Sequence, residues 1–216
     1  MNADPHSGQP IERAGADLED ASAAMVLIHG RGARAAGMLD LASQLECDGV
    51  AYLAPQAARA TWYPQSFLSP IEANQPYLDS ALALLDEILT QISEHVPLER
   101  TILLGFSQGG CLASEYAARN ARRYGVVVAL SGGLIGPEGT PRDYDGSLEG
   151  TPAFFGCSDR DPHIPLERVK ESVETYEGLD ADVTERIYEG MGHTVIPDEI
   201  AVVREMASGV TTSEGE

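Results

Sequence analysis

The sequence predicts an α/β protein, with a mostly parallel central sheet and helices on both faces. Three observations carry this. Short continuous apolar runs recur along the chain, and they alternate with stretches whose apolar residues recur at helical spacing. Several of the runs end in Gly-rich turns such as Gly30-Arg31-Gly32 and Gly132-Gly133, where strands hand over to loops. No internal repeat, low-complexity tract or linker divides the 216 residues, so a single domain is expected over residues 21–207. Residues 1–20 are rich in Gly, Pro and acids. They are expected to form a tail, or an edge hairpin around residues 10–14. Residues 208–216 are expected to be a frayed polar tail.

Each element has its own reason. Residues 24–29 (A-M-V-L-I-H) are continuously apolar up to His29, as in a strand buried on both faces. Residues 37–45 place Met38, Leu41, Ala42 and Leu45 on one helical face. Residues 50–54 form the next strand, stopped by Pro55. Residues 55–76 are irregular yet carry Trp62, Tyr63 and Phe67, more aromatics than a solvent loop usually holds. Residues 76–95 read as a helix whose stripe is Leu78, Leu82, Leu85, Ile88, Leu89 and Ile92. Strand 101–106, helix 109–120 and strand 124–130 follow. Residues 134–150, rich in Gly, Pro and Asp, are expected to be a loop. Strand 152–157, helix 166–177, strand 181–188 and helix 197–206 complete the alternation.

The charge is extreme. Asp and Glu number 34 against 14 Lys and Arg, a net −20. Nucleic-acid binding needs clustered cations for the phosphates, so that class is excluded, as is docking on anionic membranes. The hydrophobic share of 43% is that of a normal core rather than a disordered chain. Lys170 is the one lysine beside thirteen arginines. Many acids, few lysines and an ordinary core predict a halophilic protein, because in molar salt a Debye length of about 3 Å mutes the repulsion among surface acids. No apolar run approaches a membrane span, and the N-terminus lacks the layout of a secretory signal. A cytoplasmic location is expected, and Cys47, Cys111 and Cys157 are expected to be free thiols.

The chemistry concentrates in Gly105-Phe106-Ser107-Gln108-Gly109, a G-x-S-x-G between an apolar strand and a helix. A sharp strand-to-helix turn of this kind exposes the serine as a nucleophile and needs small residues around it. A serine hydroxyl needs a base, and the base an orienting acid, expected in the order Ser, acid, His. His193, in the Gly-rich stretch after strand 181–188, is the base expected. Asp159 and Asp161 both sit on the loop after strand 152–157, and the residues alone do not separate them. The oxyanion of an acyl transfer needs backbone donors. The N–H of Gln108, directly after the nucleophile, and that of Arg31, in the loop after the first strand, are the candidates. The Arg31 side chain is expected to face solvent. Asp159, Asp161 and His163 alternate on one loop, but the flanking prolines argue for a turn, and no metal is expected.

Together these residues resemble the phospholipase/carboxylesterase family of the α/β-hydrolases, which includes the acyl-protein thioesterases. The matching pieces are L-I-H-G-R-G-A at 27–33, A-P-Q-A at 54–57, T-W-Y-P at 61–64, G-F-S-Q-G-G at 105–110, L-S-G-G at 130–133, D-P-H-I-P at 161–165 and G-H-T at 192–194. The resemblance implies an α/β-hydrolase fold with little or no lid. It implies a catalytic set of Ser107, Asp161 and His193, with Arg31 and Gln108 as oxyanion donors. It also implies that Trp62 and Tyr63 wall the acyl pocket, with His29 and Gly30 among the substrate contacts. The expected activity is cofactor-free hydrolysis of small-molecule esters. Acyl thioesters and lysophospholipids are the alternative substrates, and a non-catalytic binding module is the alternative class.

Overall fold

The computed structural model describes residues 4–212, and its centre is a seven-stranded sheet. In chain order the elements are β1 (Ile11–Gly15), β2 (Ala23–Ile28), α1 (Ala35–Ala42), β3 (Val50–Pro55), α2 (Tyr77–Ser93), β4 (Thr101–Phe106), α3 (Gln108–Arg119), β5 (Val126–Leu130), β6 (Pro152–Ser158), α4 (Leu166–Gly178), β7 (Asp182–Tyr188) and α5 (Pro197–Thr212). The strand order is β1-β3-β2-β4-β5-β6-β7. Only β1 is antiparallel, pairing Ile11 with Pro55 and Gly15 with Ala51 at one edge. The N-terminal segment therefore contributes a single edge strand against β3.

Strands buried on both faces explain the continuous apolar runs. In β2, Ala24, Val26 and Ile28 pack into the core layer of α2, α3 and α4, while Ala23, Met25 and Leu27 pack into that of α1 and α5. Right-handed crossovers dictate this division. The chain moves from β2 to β3 in one direction along the sheet, and then from β3 through β4 to β7 in the other. The helices of the two legs must therefore lie on opposite faces. The reversal falls between β2 and β4, which are hydrogen-bonded neighbours. Loops at the C-terminal ends of strands beside such a reversal diverge and leave a crevice.

Two expectations need correction. Residues 208–212 are not a frayed tail but the last turn of α5, because Ala207 and Val210 continue its buried stripe. Residues 213–216 of that expected tail lie outside the described residues, as do residues 1–3. The strand expected from residue 124 begins at Val126. Tyr124 is instead buried ahead of it, its N–H donating to Thr151 Oγ1 and its hydroxyl to the Asn120 carbonyl, each at 2.9 Å. The 131–151 connection has no helix. It is anchored by buried Leu134, Ile135 and Leu148 and by Arg168, whose Nη1 donates to the carbonyls of Leu134 and Gly136.

Candidate active site

The crevice between β2 and β4 is where the sequence-predicted residues meet. Ser107 sits between β4 and α3 with φ 56° and ψ −119°, a conformation that costs a non-glycine residue about 1–3 kcal/mol. The turn is held by Ser107 N–H donating to the Leu130 carbonyl and by Cys111 N–H donating to the Ser107 carbonyl. The two motif glycines are steric necessities. A Cβ on Gly105 would lie 2.1 Å from the Gly109 carbonyl oxygen, and one on Gly109 would lie 2.0 Å from that of Ile28. The motif thus packs the start of α3 against the ends of β2 and β4, and only then does the serine face the crevice.

His193 Nε2 lies 2.8 Å from Ser107 Oγ, and its Nδ1 lies 2.7 Å from Asp161 Oδ2. A carboxylate can only accept, so Nδ1 carries the proton and Nε2 is left to accept from the serine hydroxyl. The His193 side chain is 18% exposed and the Asp161 side chain 0%. Burial pushes the Asp161 carboxyl up, but hydrogen bonds from His193 and from the N–H groups of His163 and Ile164 outweigh it. The net pKa lies below the ordinary carboxylate value, so Asp161 is charged at neutral pH. Asp159 turns elsewhere. Its Oδ1 accepts from the Gly190 N–H at 2.8 Å, tying the two loops together, and its Oδ2 lies 3.5 Å from Arg160. Geometry therefore separates the two acids that the residues alone did not.

A cavity of about 500 Å³ opens over Ser107. Tyr63, Pro64, Phe67 and Ile164 give it apolar walls, and Arg31, Gln108, His163 and His193 line it as well. Gln108 opens α3, so its N–H is one of the donors left unpaired inside the helix. Gly30 brings the β2 loop against the nucleophile: a Cβ there would lie 3.3 Å from Ser107 Cβ. The N–H of Arg31 follows in that loop. Cys111 also lines the cavity, but burial pushes its thiol up to about 12, so at neutral pH it is a neutral wall.

Three expected substrate contacts, His29, Gly30 and Trp62, are absent from the cavity lining, and Gly30 is buried against Ser107. His29 and Trp62 are both 0% exposed and belong to the core beneath the cavity rather than to its wall. Trp62 Nε1–H donates to the His29 carbonyl at 2.8 Å, because an indole N–H taken out of water must find an acceptor. The ring also packs 5.0 Å from His29 and 5.4 Å from His6. Tyr63 does line the cavity.

Three residues hold this wall in ways the sequence did not signal. Gln108 Oε1 accepts from the Trp62 N–H at 2.9 Å, and its Nε2 donates to the Tyr63 carbonyl at 2.8 Å. Arg31 is exposed, as expected, but its guanidinium is also anchored. It donates to the carbonyls of Tyr63 and Pro64 at 2.9 Å and of Gln65 at 2.6 Å. His6, in the segment read as a tail or hairpin, is 0% exposed and bridges the Ala58 N–H and the Trp62 carbonyl. A lone histidine in a polar stretch carries no pattern that predicts this. No group of three or more His, Cys, Asp or Glu with metal-binding geometry occurs among the described residues. Among them, too, no helix is long and apolar enough to cross a membrane.

Known proteins place this architecture. A crystal structure of a phospholipase/carboxylesterase from Dyadobacter fermentans superposes with a TM-score of 0.90 at 42% identity, covering 93% of this chain and 97% of that one. An acyl-protein thioesterase 1 from Debaryomyces hansenii is 28% identical over 215 residues, 89% of this chain and 93% of the relative. Another acyl-protein thioesterase 1, from Gibberella zeae, is 32% identical over 116 residues, which span 49% of that protein. The family model described as Phospholipase/Carboxylesterase matches residues 15–209. The chain is an α/β-hydrolase and belongs to the phospholipase/carboxylesterase family.

Proposed function

We propose that the chain is a serine carboxylesterase that hydrolyses small to medium acyl esters through Ser107, His193 and Asp161. The observation that carries this is the unbroken hydrogen-bond chain from Ser107 Oγ through His193 to Asp161, opening at the floor of a cavity. In this reading His193 Nε2 takes the serine proton as Oγ attacks the ester carbonyl. The N–H groups of Gln108 and Arg31 hold the oxyanion, each worth about 3 kcal/mol in the transition state. The imidazolium, stabilised by Asp161, protonates the leaving alcohol. Water, deprotonated by the same imidazole, then attacks the acyl-enzyme and releases the acid. Tyr63, Phe67 and Ile164 offer the acyl chain an apolar wall. A second reading, thioester hydrolysis by the same steps, is favoured by the acyl-protein thioesterases among the relatives.

Initial rates on 4-nitrophenyl esters from acetate to palmitate, with Ser107→Ala as control, test the proposal. Turnover of the shorter esters that vanishes in the variant is the result expected. A folded protein that turns over none of them, and whose Ser107 is not labelled by a fluorophosphonate, overturns it. An acyl-thiocholine series run alongside ranks the ester and thioester readings.

A further inference from the structure

Among the described residues, Arg31 brings the only permanent charge to the cavity wall, and no carboxylate lines it. Asp161 lies behind His193 and is shielded from the cavity. In a chain with 34 acids and a net charge of −20, the crevice is thus lined by no acid and by one cation, held at its rim on the carbonyls of residues 63–65. The guanidinium forms no ion pair among the described residues. Its three hydrogen bonds go to the carbonyls of Tyr63, Pro64 and Gln65, which fix the orientation of the fork without neutralising it. A guanidinium has five N–H donors, so two remain. The backbone of the same residue is the proposed oxyanion donor. The charge therefore stands about one arginine side chain away from the scissile carbonyl.

We propose that this cleft selects esters that carry a carboxylate a few bonds from the scissile carbonyl, with Arg31 as the residue that reads it. The inference rests on the esterase reading of the same cleft. The carboxylate can sit on the acyl side, as in a half-ester of a dicarboxylic acid, or on the alcohol side. An orientation held by three carbonyls is what makes the charge selective. The fork loses little freedom on binding, and the apolar wall of Tyr63, Phe67 and Ile164 accommodates the methylenes between the two groups.

The test compares pairs matched in shape. Monomethyl succinate against methyl valerate probes the acyl side, and 4-acetoxybenzoate against 4-methylphenyl acetate probes the alcohol side. Assays in molar KCl screen the long-range repulsion from the acidic surface but leave a direct contact in place. A preference of about tenfold in kcat/KM for the anionic member of one pair is expected, the size of a charge-assisted hydrogen bond. The pair that shows it identifies the side. In Arg31→Gln the preference collapses toward one. In Arg31→Lys both substrates slow, because the carbonyl clamp is lost, but the preference persists. A role confined to clamping the wall slows both members alike and leaves their ratio unchanged.

Hydrolysis of the neutral esters with no anionic preference in either pair overturns the inference while the esterase reading stands. A preference that survives unchanged in Arg31→Gln also overturns it. If no ester is turned over and Ser107 is not labelled, the esterase reading fails. Calorimetric titration of monomethyl succinate into wild type and both variants then decides the anion site separately. Binding lost in Arg31→Gln and kept in Arg31→Lys supports the site, and equal or absent binding overturns it.

Discussion

Two histidine clusters lie near the cavity, and they are built in opposite ways. Under it, His6 and His29 pack on Trp62, and every ring nitrogen is committed to the fold. His6 Nδ1 accepts from the Ala58 N–H and Nε2–H donates to the Trp62 carbonyl, while His29 Nδ1–H donates to the Gly30 carbonyl and Nε2 accepts from the Ala57 N–H. Each ring has both an obligatory donor and an obligatory acceptor, so each is held neutral in one tautomer. Above, His193 shares only Nδ1 with a buried partner, Asp161. Its Nε2 faces a serine hydroxyl at the cavity floor. The difference teaches that a histidine is poised for proton transfer when one nitrogen is left to a reactive partner. Completing both nitrogens with backbone turns the same side chain into a cross-link.

The largest expected effects fall on the upper cluster. Ser107→Ala and His193→Ala each lower kcat/KM on a short 4-nitrophenyl ester by about 10⁶-fold. The unfolding free energy of Ser107→Ala stays within about 0.5 kcal/mol of wild type, the scale of a substitution that breaks no buried network, whereas His193→Ala leaves the buried Asp161 carboxylate without its imidazole partner and is expected to destabilise by about 1–3 kcal/mol. An active Ser107→Ala would end the functional half of the comparison. Asp161→Asn comes next, with a loss of about 10⁴-fold, because an amide at that position favours the wrong imidazole tautomer. Asp159→Asn, measured in the same assay, keeps activity within a few fold. Reversal of these two results would reassign the acid.

The lower cluster answers to stability instead. His6→Ala leaves the Ala58 N–H and the Trp62 carbonyl without partners in the core and is expected to destabilise by about 2–3 kcal/mol in chemical denaturation. Folded variant keeps the chemistry of Ser107. A loss of activity without a loss of stability would contradict the division of labour.

The two buried rings also predict a pH dependence. Burial lowers the pKa values of His6 and His29 below the model-peptide value of 6.5, offset only partly by the hydrogen bonds to Trp62 and Gly30. Below pH 6.5 the unfolded chain then binds more protons than the folded one, so stability falls as pH drops. The slope is at most about 1.4 kcal/mol per pH unit for each ring. Glu199 works the other way. Burial pushes its carboxyl up to about 7, against a partial offset from the Ile196 N–H. Its titration therefore costs stability as pH rises from 4.5 toward 7. Urea midpoints between pH 5 and 8 in Glu199→Gln isolate the histidine slope, and a flat profile there would break the account of the lower cluster. The smallest effect expected is from salt. With a net charge of −20, the unfolding midpoint rises between low and molar KCl. Equal midpoints would remove the halophilic reading and leave the two clusters as they are.

The sequence by itself determined the layers of the fold and the nucleophile. Continuous apolar runs such as 101–106 can be stable only as strands covered on both faces, and G-x-S-x-G at their end leaves little alternative to the turn observed at Ser107. It also brought His193 into view, since a Gly-rich stretch after the penultimate element marks a loop. These signals are local: they lie in the identity and spacing of adjacent residues. Residue type alone did not separate Asp159 from Asp161; the family resemblance pointed to Asp161, and the tertiary structure turns that carboxylate onto the imidazole, because two acids two residues apart differ in the direction their loop gives them. The tertiary structure alone placed Trp62 and His29 in the core and His6 beneath them, and it alone turned the Arg31 guanidinium onto the 63–65 carbonyls. These contacts join residues remote in sequence. Their energy comes from desolvated groups finding partners across the fold, and no spacing along the chain encodes that.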